Sequence, residues 1–178
     1  MRRAGAAEAR RIAVPGCSGS GKSTLAAVSA ARLGLPYLAT DAVFWTDDWR
    51  PRPADEVRAW LASTTAAERW VTDGNFDGDR DLLWARAELI VWLDLPLARV
   101  LGQALRRNLG WWLRRTRVWG GQRMTLAKAL SGARHVLRSH GQKRRAYPGW
   151  LGKLSAPTVR IARSAPIEAW VRQVVDAL

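Results

Sequence analysis

Gly16-Cys17-Ser18-Gly19-Ser20-Gly21-Lys22-Ser23 matches G-x-x-x-x-G-K-S at every fixed position. The apolar run Ile12-Ala13-Val14 precedes it, and the helix-forming run Thr24-Leu25-Ala26-Ala27-Val28 follows. That strand–loop–helix order is the setting in which the motif wraps an anion. Glycine at 16, 19 and 21 lets the backbone turn its N–H groups toward a phosphate with no side chain in the way. Lys22 is placed to reach the outer phosphates and the Ser23 hydroxyl to ligate Mg²⁺. Ser18, Ser20 and Thr24 count with them as nucleotide-binding positions. A helix opening near Lys22 aims the positive end of its dipole at the same oxygens. The stretch predicts a site for a nucleoside triphosphate.

The loop also carries the one cysteine of the chain, Cys17. A lone cysteine excludes an internal disulfide and suits a reducing compartment, so a cytoplasmic protein is expected. At a helix N-terminus its thiol is expected to be reactive and to be shielded by bound nucleotide. The 178 residues suffice for one domain that buries most of its surface. Residues 1–10 are rich in Arg and Ala and lack the apolar stretch of a secretory signal. They are expected to be a flexible extension ahead of a single domain at 11–178. The longest apolar runs, such as Leu89-Ile90-Val91-Trp92-Leu93, have the length of a strand and not of a membrane span. No membrane partner is expected, and a monomer or dimer is.

The net charge of +14 is unevenly placed. From Leu95 to Ile167 there is no Asp or Glu, against sixteen Lys and Arg, while the remainder holds thirteen basic and fifteen acidic residues. One contiguous segment therefore holds all the excess positive charge. Such a segment grips phosphates or lies on a polyanion.

Strand-like and helical runs alternate, which predicts a parallel sheet covered by helices on both faces. Strands are expected at 11–15, 36–40, 70–72, 88–93 and 157–162. Helices are expected at 23–33, from Pro53 to about Glu68, at 81–87, from Leu97 to about Leu109, from Thr125 to about Ser139, and from Pro166 onward. The Trp- and Arg-rich stretch from Gly110 to Gly121 is read as an interruption. Three strands end on carboxylates: Asp41, Asp73 and Asp94.

By Asn75 the motifs are specific. They are Gly16–Leu25, Asp41-x-x-x-Trp45 with Trp49-x-Pro51-x-Pro53, Val71-x-Asp73-Gly74-Asn75-Phe76, Trp92-Leu93-Asp94-x-Pro96, and Ile161-x-Arg163-Ser164-x-Pro166. Together they resemble the bacterial P-loop family of DNA topology modulation (FlaR-like) or adenylate-kinase-related proteins, over nearly the whole chain from Arg11. The resemblance implies a three-layer α/β P-loop fold of nucleoside-monophosphate-kinase type. It has a five-stranded parallel sheet and an Arg-rich helical lid, placed here at about 106–145. It also implies ATP and Mg²⁺ as cofactors.

Phosphoryl transfer needs an acceptor oxygen held in line, Mg²⁺ across the phosphates and positive charge around the transferring group. Asp41 is the candidate that orients or deprotonates the acceptor. Asp73 is the candidate partner of Mg²⁺, through water, alongside Ser23. Gly74 allows close backbone approach, and Asn75 is a candidate hydrogen-bond partner of the acceptor. Trp45 and Trp49, in a loop, are candidates to stack on a base or sugar. Arg106 and Arg107, with Arg115 or Arg117, are the candidate lid arginines, because a planar guanidinium suits phosphate oxygens. Arg163 falls where such folds pack a loop on the adenine. The expected function is ATP- and Mg-dependent phosphoryl transfer to a small hydroxylated or phosphorylated acceptor, a nucleoside or nucleotide first. The alternative is an ATP-dependent nucleic-acid-binding protein acting on DNA topology, or a polynucleotide 5′-kinase. Weak non-specific nucleic-acid binding is expected in either case from the basic segment.

Overall fold

The computed structural model describes residues 9–44, 46, 50–75, 78–118 and 121–178, with the backbone alone described for Asp41, Ala42, Asp81 and Gln122. Three strands lie at its centre: β1 (Arg11–Ala13), β3 (Trp70–Thr72) and β4 (Leu89–Leu93). Every residue of β3 and β4 is buried, the pattern of parallel strands covered on both faces. The short β2 (Tyr37–Leu38) and the half-exposed β7 (Thr158–Ile161) form the edges. The sheet order is β2-β3-β1-β4-β7, all parallel. All five strands therefore end on one rim. The sheet starts ahead of Arg11, since the Arg10 carbonyl accepts the Trp70 N–H at 2.8 Å.

The two-residue period of the strands sorts side chains into two cores. Ile12, Val14, Val71, Leu89, Val91 and Leu93 face one way, against α1 (Lys22–Leu33) and α7 (Ile167–Asp176). Ala13, Trp70, Ile90 and Trp92 face the other way, against α3 (Ala54–Thr64), α4 (Arg80–Leu83) and the end of α6 (Leu126–Leu151). The second core is aromatic. Tyr147 meets Trp84 edge-on with centroids 5.2 Å apart, and Trp92 and Trp150 close around it.

The structure departs from the expected elements in four places. α5 (Leu97–Leu113) runs through Gly110-Trp111-Trp112 instead of stopping near Leu109. Arg107 lies over the ring of Trp111 one turn on, 4.8 Å from its centroid. α6 continues twelve residues beyond Ser139 and takes Pro148 into its last turn, because Tyr147 and Leu151 extend the stripe begun by Ala129, Ala133 and Val136. The interruption between these helices is a ribbon, β5 (Arg117–Val118) against β6 (Gln122–Arg123). A single helical turn, α2 (Asp41–Phe44), follows β2 where a loop was expected.

Candidate functional site

The loop from Val14 to Gly21 leaves the middle strand β1 and opens α1. Gly19 and Gly21 have φ of 85° and 93°, a region closed to most side chains, so two of the three glycines are there for their backbone. A Cβ on Gly19 would stand 2.7 Å from the Val100 carbonyl and 2.8 Å from the Ala104 Cβ, so the loop is seated directly on α5. Gly21 is the N-cap of α1 and offers no side chain to its first turn. Among the described residues no protein group accepts the N–H of Lys22, Ser23 or Thr24. Lys22 is 92% buried and has no ion pair among the described residues. An uncapped helix end beside a largely buried lysine suits an anion.

Two strand ends, those of β3 and β2, are tied together beside this loop. Asn75, after β3, accepts the Gly16 N–H on Oδ1 at 2.9 Å and donates from Nδ2 to the Gly16 carbonyl at 2.8 Å. One N–H and the oxygen of its amide are thus given to the loop. Asp73, almost fully buried, accepts the hydroxyl of Thr40 at 3.0 Å and its N–H at 3.3 Å. Thr40 in turn opens α2, its carbonyl accepting from Val43 and Phe44. The carboxylate therefore holds the residue that opens the turn beginning with Asp41. Asp41 lies at the start of that turn on the same rim, its side chain not described. Trp45 and Trp49 lie outside the described residues, but the flanks of their loop meet: the Thr46 N–H and hydroxyl both reach the Arg50 carbonyl.

Asp94, the third strand-end carboxylate, is held by two arginines. Arg160 of β7 donates to its Oδ2 from Nε and Nη2, and Arg144 of α6 approaches Oδ1 at 3.3 Å. Its charge is spent on packing β7 and α6 together. Arg163 is exposed, and its carbonyl accepts the indole N–H of Trp170 at 3.2 Å. The same indole lies 3.4 Å from where a Cβ of Gly21 would be. Trp170 reads from sequence as plain core, yet it fixes the loop of Arg163 beside the phosphate loop.

The basic segment lines a groove leading away from the loop. Arg99, Gln103, Arg106, Gly110 and Arg114 recur at helical spacing along one face of α5. They border two adjoining hollows of about 240 and 350 Å³. With its amide oriented to satisfy both neighbours, Gln103 donates to the Gly19 carbonyl at 2.8 Å and accepts from Arg99 Nε at 3.2 Å. Arg99 and Gln103 escaped the sequence reading, although a spacing of four and then three before Arg106 marks them. Arg106 is exposed in this groove, while Arg107 turns to Trp111 and Asn108. Arg117 donates to Gly121 inside the ribbon, and Arg115 projects from the end of α5.

Cys17 corrects an expectation. It is 94% buried, and its sulfur lies 3.7 Å from the Ser139 hydroxyl. Ser139 donates its own proton to the His135 carbonyl, which leaves the thiol as donor. The thiol points into the packing of α6 and not at the anion site.

No protein-family model matches the chain. It is 27% identical over 174 residues to the uncharacterized protein YqaC of Bacillus subtilis (strain 168), covering 95% of this chain and 97% of that one. Among solved structures it is similar to a shikimate kinase from Acinetobacter baumannii in complex with shikimate (TM-score 0.59, 16% identity, 95% of this chain and 92% of that chain). It is also similar to a gluconokinase from Sinorhizobium meliloti 1021 (TM-score 0.57, 22% identity, 94% and 90%). A deoxyadenosine kinase from M. mycoides with bound dCTP aligns as well (TM-score 0.58, 11% identity, 93% and 97%). The chain has the α/β fold of the P-loop kinases.

Proposed function

We propose that this chain transfers a phosphoryl group from ATP, with Mg²⁺, to a small hydroxylated or phosphorylated acceptor, a nucleoside or nucleotide first. One observation carries the reading. The glycine-hinged loop presents an uncapped helix end and the largely buried Lys22 on the rim where Asp73 and the Asp41 turn also meet. The residues present suit the group: free N–H donors for phosphate oxygens, a cation, a hydroxyl at Ser23, and a carboxylate one strand away. Magnesium, held here, would supply positive charge against the charge that develops on the phosphates. Lys22 holds the outer phosphates, and Ser23 with Asp73 holds the metal's coordination shell, Asp73 through water. Asp41 stands beside the acceptor hydroxyl to orient it and take its proton. Trp45 and Trp49 cover the acceptor. Arg106, joined by Arg99 and by Arg115 or Arg117, meets the charge that builds on the transferring group. The Arg163 loop borders the base. Its resemblance to the topology-modulation family fits the same scheme.

A second reading rests on the acid-free segment of sixteen basic residues, whose Arg114, Arg115, Arg117, Arg123, Arg134, Arg138 and Arg145 are exposed. It makes the acceptor a nucleic-acid end or the chain an ATP-dependent DNA-binding protein. Turnover of ATP against nucleosides, nucleotides, sugars and DNA 5′ ends separates the two. Stimulation by a small acceptor supports the first reading; stimulation by DNA ends alone replaces it with the second.

A further inference from the structure

Asn75 joins two pieces of the rim that are 59 residues apart in the chain. Its amide and the Gly16 peptide close a ring of two hydrogen bonds, 2.9 and 2.8 Å, like one rung between paired strands. On its other side Gly16 bridges to Leu93 of β4, whose N–H donates to the Pro15 carbonyl at 3.0 Å. A side chain would not fit there, since a Cβ on Gly16 would stand 2.7 Å from the Ser20 hydroxyl and 3.1 Å from the Leu93 Cβ. The first peptide of the phosphate loop is therefore held from two sides. One hold is the core strand β4; the other is the Asn75 side chain. Two residues earlier, Asp73 fixes the same segment to Thr40.

We infer that Asn75 is a positioning residue for the phosphate loop, holding Gly16 so that the N–H groups after it already converge before nucleotide arrives. It acts through the loop and has no part in acceptor binding. The inference rests on the proposed nucleotide site and deepens it. Preorganised donors cost nothing to arrange at binding, so their loss appears first in nucleotide affinity. With two neutral hydrogen bonds lost, the affinity of Asn75→Ala for Mg-ATP should fall on the order of tenfold to a hundredfold.

Asn75→Asp gives the sharper reading. Its carboxylate still accepts the Gly16 N–H but sets an oxygen against the Gly16 carbonyl. Protonation restores a donor there. Mg-ATP binding by Asn75→Asp should be weak at pH 8 and recover as the pH falls toward 5.5. Asn75→Ala should not recover, and the wild type should show no such rise. Hydrogen exchange in the ligand-free proteins, all checked for folding by circular dichroism, should show the Gly16 amide protected in the wild type and opened in Asn75→Ala. Wild-type affinity in both variants, with transfer to the acceptor alone lost, overturns the inference while leaving the nucleotide site standing. Equal weakness of Asn75→Asp and Asn75→Ala at every pH overturns it as well. A wild type that binds no nucleotide overturns the site and this inference together.

Discussion

Lys22 is largely buried along its length beside the glycine loop, and at the proposed site its charge would meet phosphate oxygens. Lys22→Met should keep the fold, as read by circular dichroism. Its turnover should fall on the order of 10²–10³-fold, the usual loss when one preorganised charge contact is removed. A folded Lys22→Met with normal turnover would refute the loop assignment. Cys17, turned into α6, should react with a thiol reagent only as fast as the protein opens, and promptly once it is unfolded. Mg-ATP slows that reaction by stabilising the native state; rapid labelling of the folded protein would mean that the thiol faces solvent. Glu88 supplies a pH signature. Burial pushes its carboxyl up, but the Arg10 and Arg11 N–H groups and the Arg11 guanidinium together outweigh burial, and the net shift is downward. A lowered folded value means stability present at neutral pH and lost as pH falls from about 4.5 through the lowered value. The gap in melting temperature between wild type and Glu88→Gln should be flat from pH 6 to 8 and close below about pH 4.5. A gap that widens in acid contradicts this sign.

α5 runs from the glycine loop to the β5–β6 ribbon, and its two ends are built differently. Near its start Gly19 is pressed on Val100 and Ala104, with Gln103 bonded to the Gly19 carbonyl. At its end the Thr116 N–H reaches the Trp111 carbonyl and the Arg115 N–H the Trp112 carbonyl, a Schellman closure. Such a closure wants glycine in the left-handed position, yet Arg115 occupies it with φ of 52°. A non-glycine residue there costs about 1 kcal/mol or more, partly offset because glycine is freer when unfolded. Arg115→Gly should accordingly raise the melting temperature by about 1–4 °C. If Arg115 also meets phosphates, the same variant loses turnover while gaining stability. A drop in melting temperature would show that the backbone there is not strained.

The charge of the chain is a property of its surface as a whole. Outside the stretch from Leu95 to Ile167 acids slightly outnumber bases; inside it no acid stands. Asp94, just before that stretch, pairs with Arg160 and Arg144 and offsets one of their two charges, and most of the remaining arginines are exposed. A surface of that kind binds any polyanion by releasing counterions. Binding to DNA should be sequence-independent and largely gone by about 0.2 M salt. Each lost arginine should weaken it similarly, whereas Arg106→Ala should cost turnover more than DNA affinity. DNA binding that persists at that salt, with ATP turnover raised by DNA and by no small acceptor, would favour the nucleic-acid reading. Among the described residues no helix is long and apolar enough to cross a membrane.

What was legible in the chain is what local physics encodes. Glycine spacing announced the loop because only glycine takes φ of 85° and 93° freely. The all-apolar run Leu89-Ile90-Val91-Trp92-Leu93 announced a covered parallel strand, since both its faces must meet helices. The strand ends at Asp73 and Asp94 followed from where those runs stop. Tertiary structure alone decided what each polar end group does. Asn75 turns back to Gly16, Asp94 is claimed by Arg160 66 residues away, and Trp170 braces Gly21 and Arg163. It also carried α6 past Ser139, where the aromatic core outweighs local helix-breaking residues. A residue's backbone preference is its own, but a hydrogen bond or ion pair belongs to two residues, and only the fold brings the second one within reach.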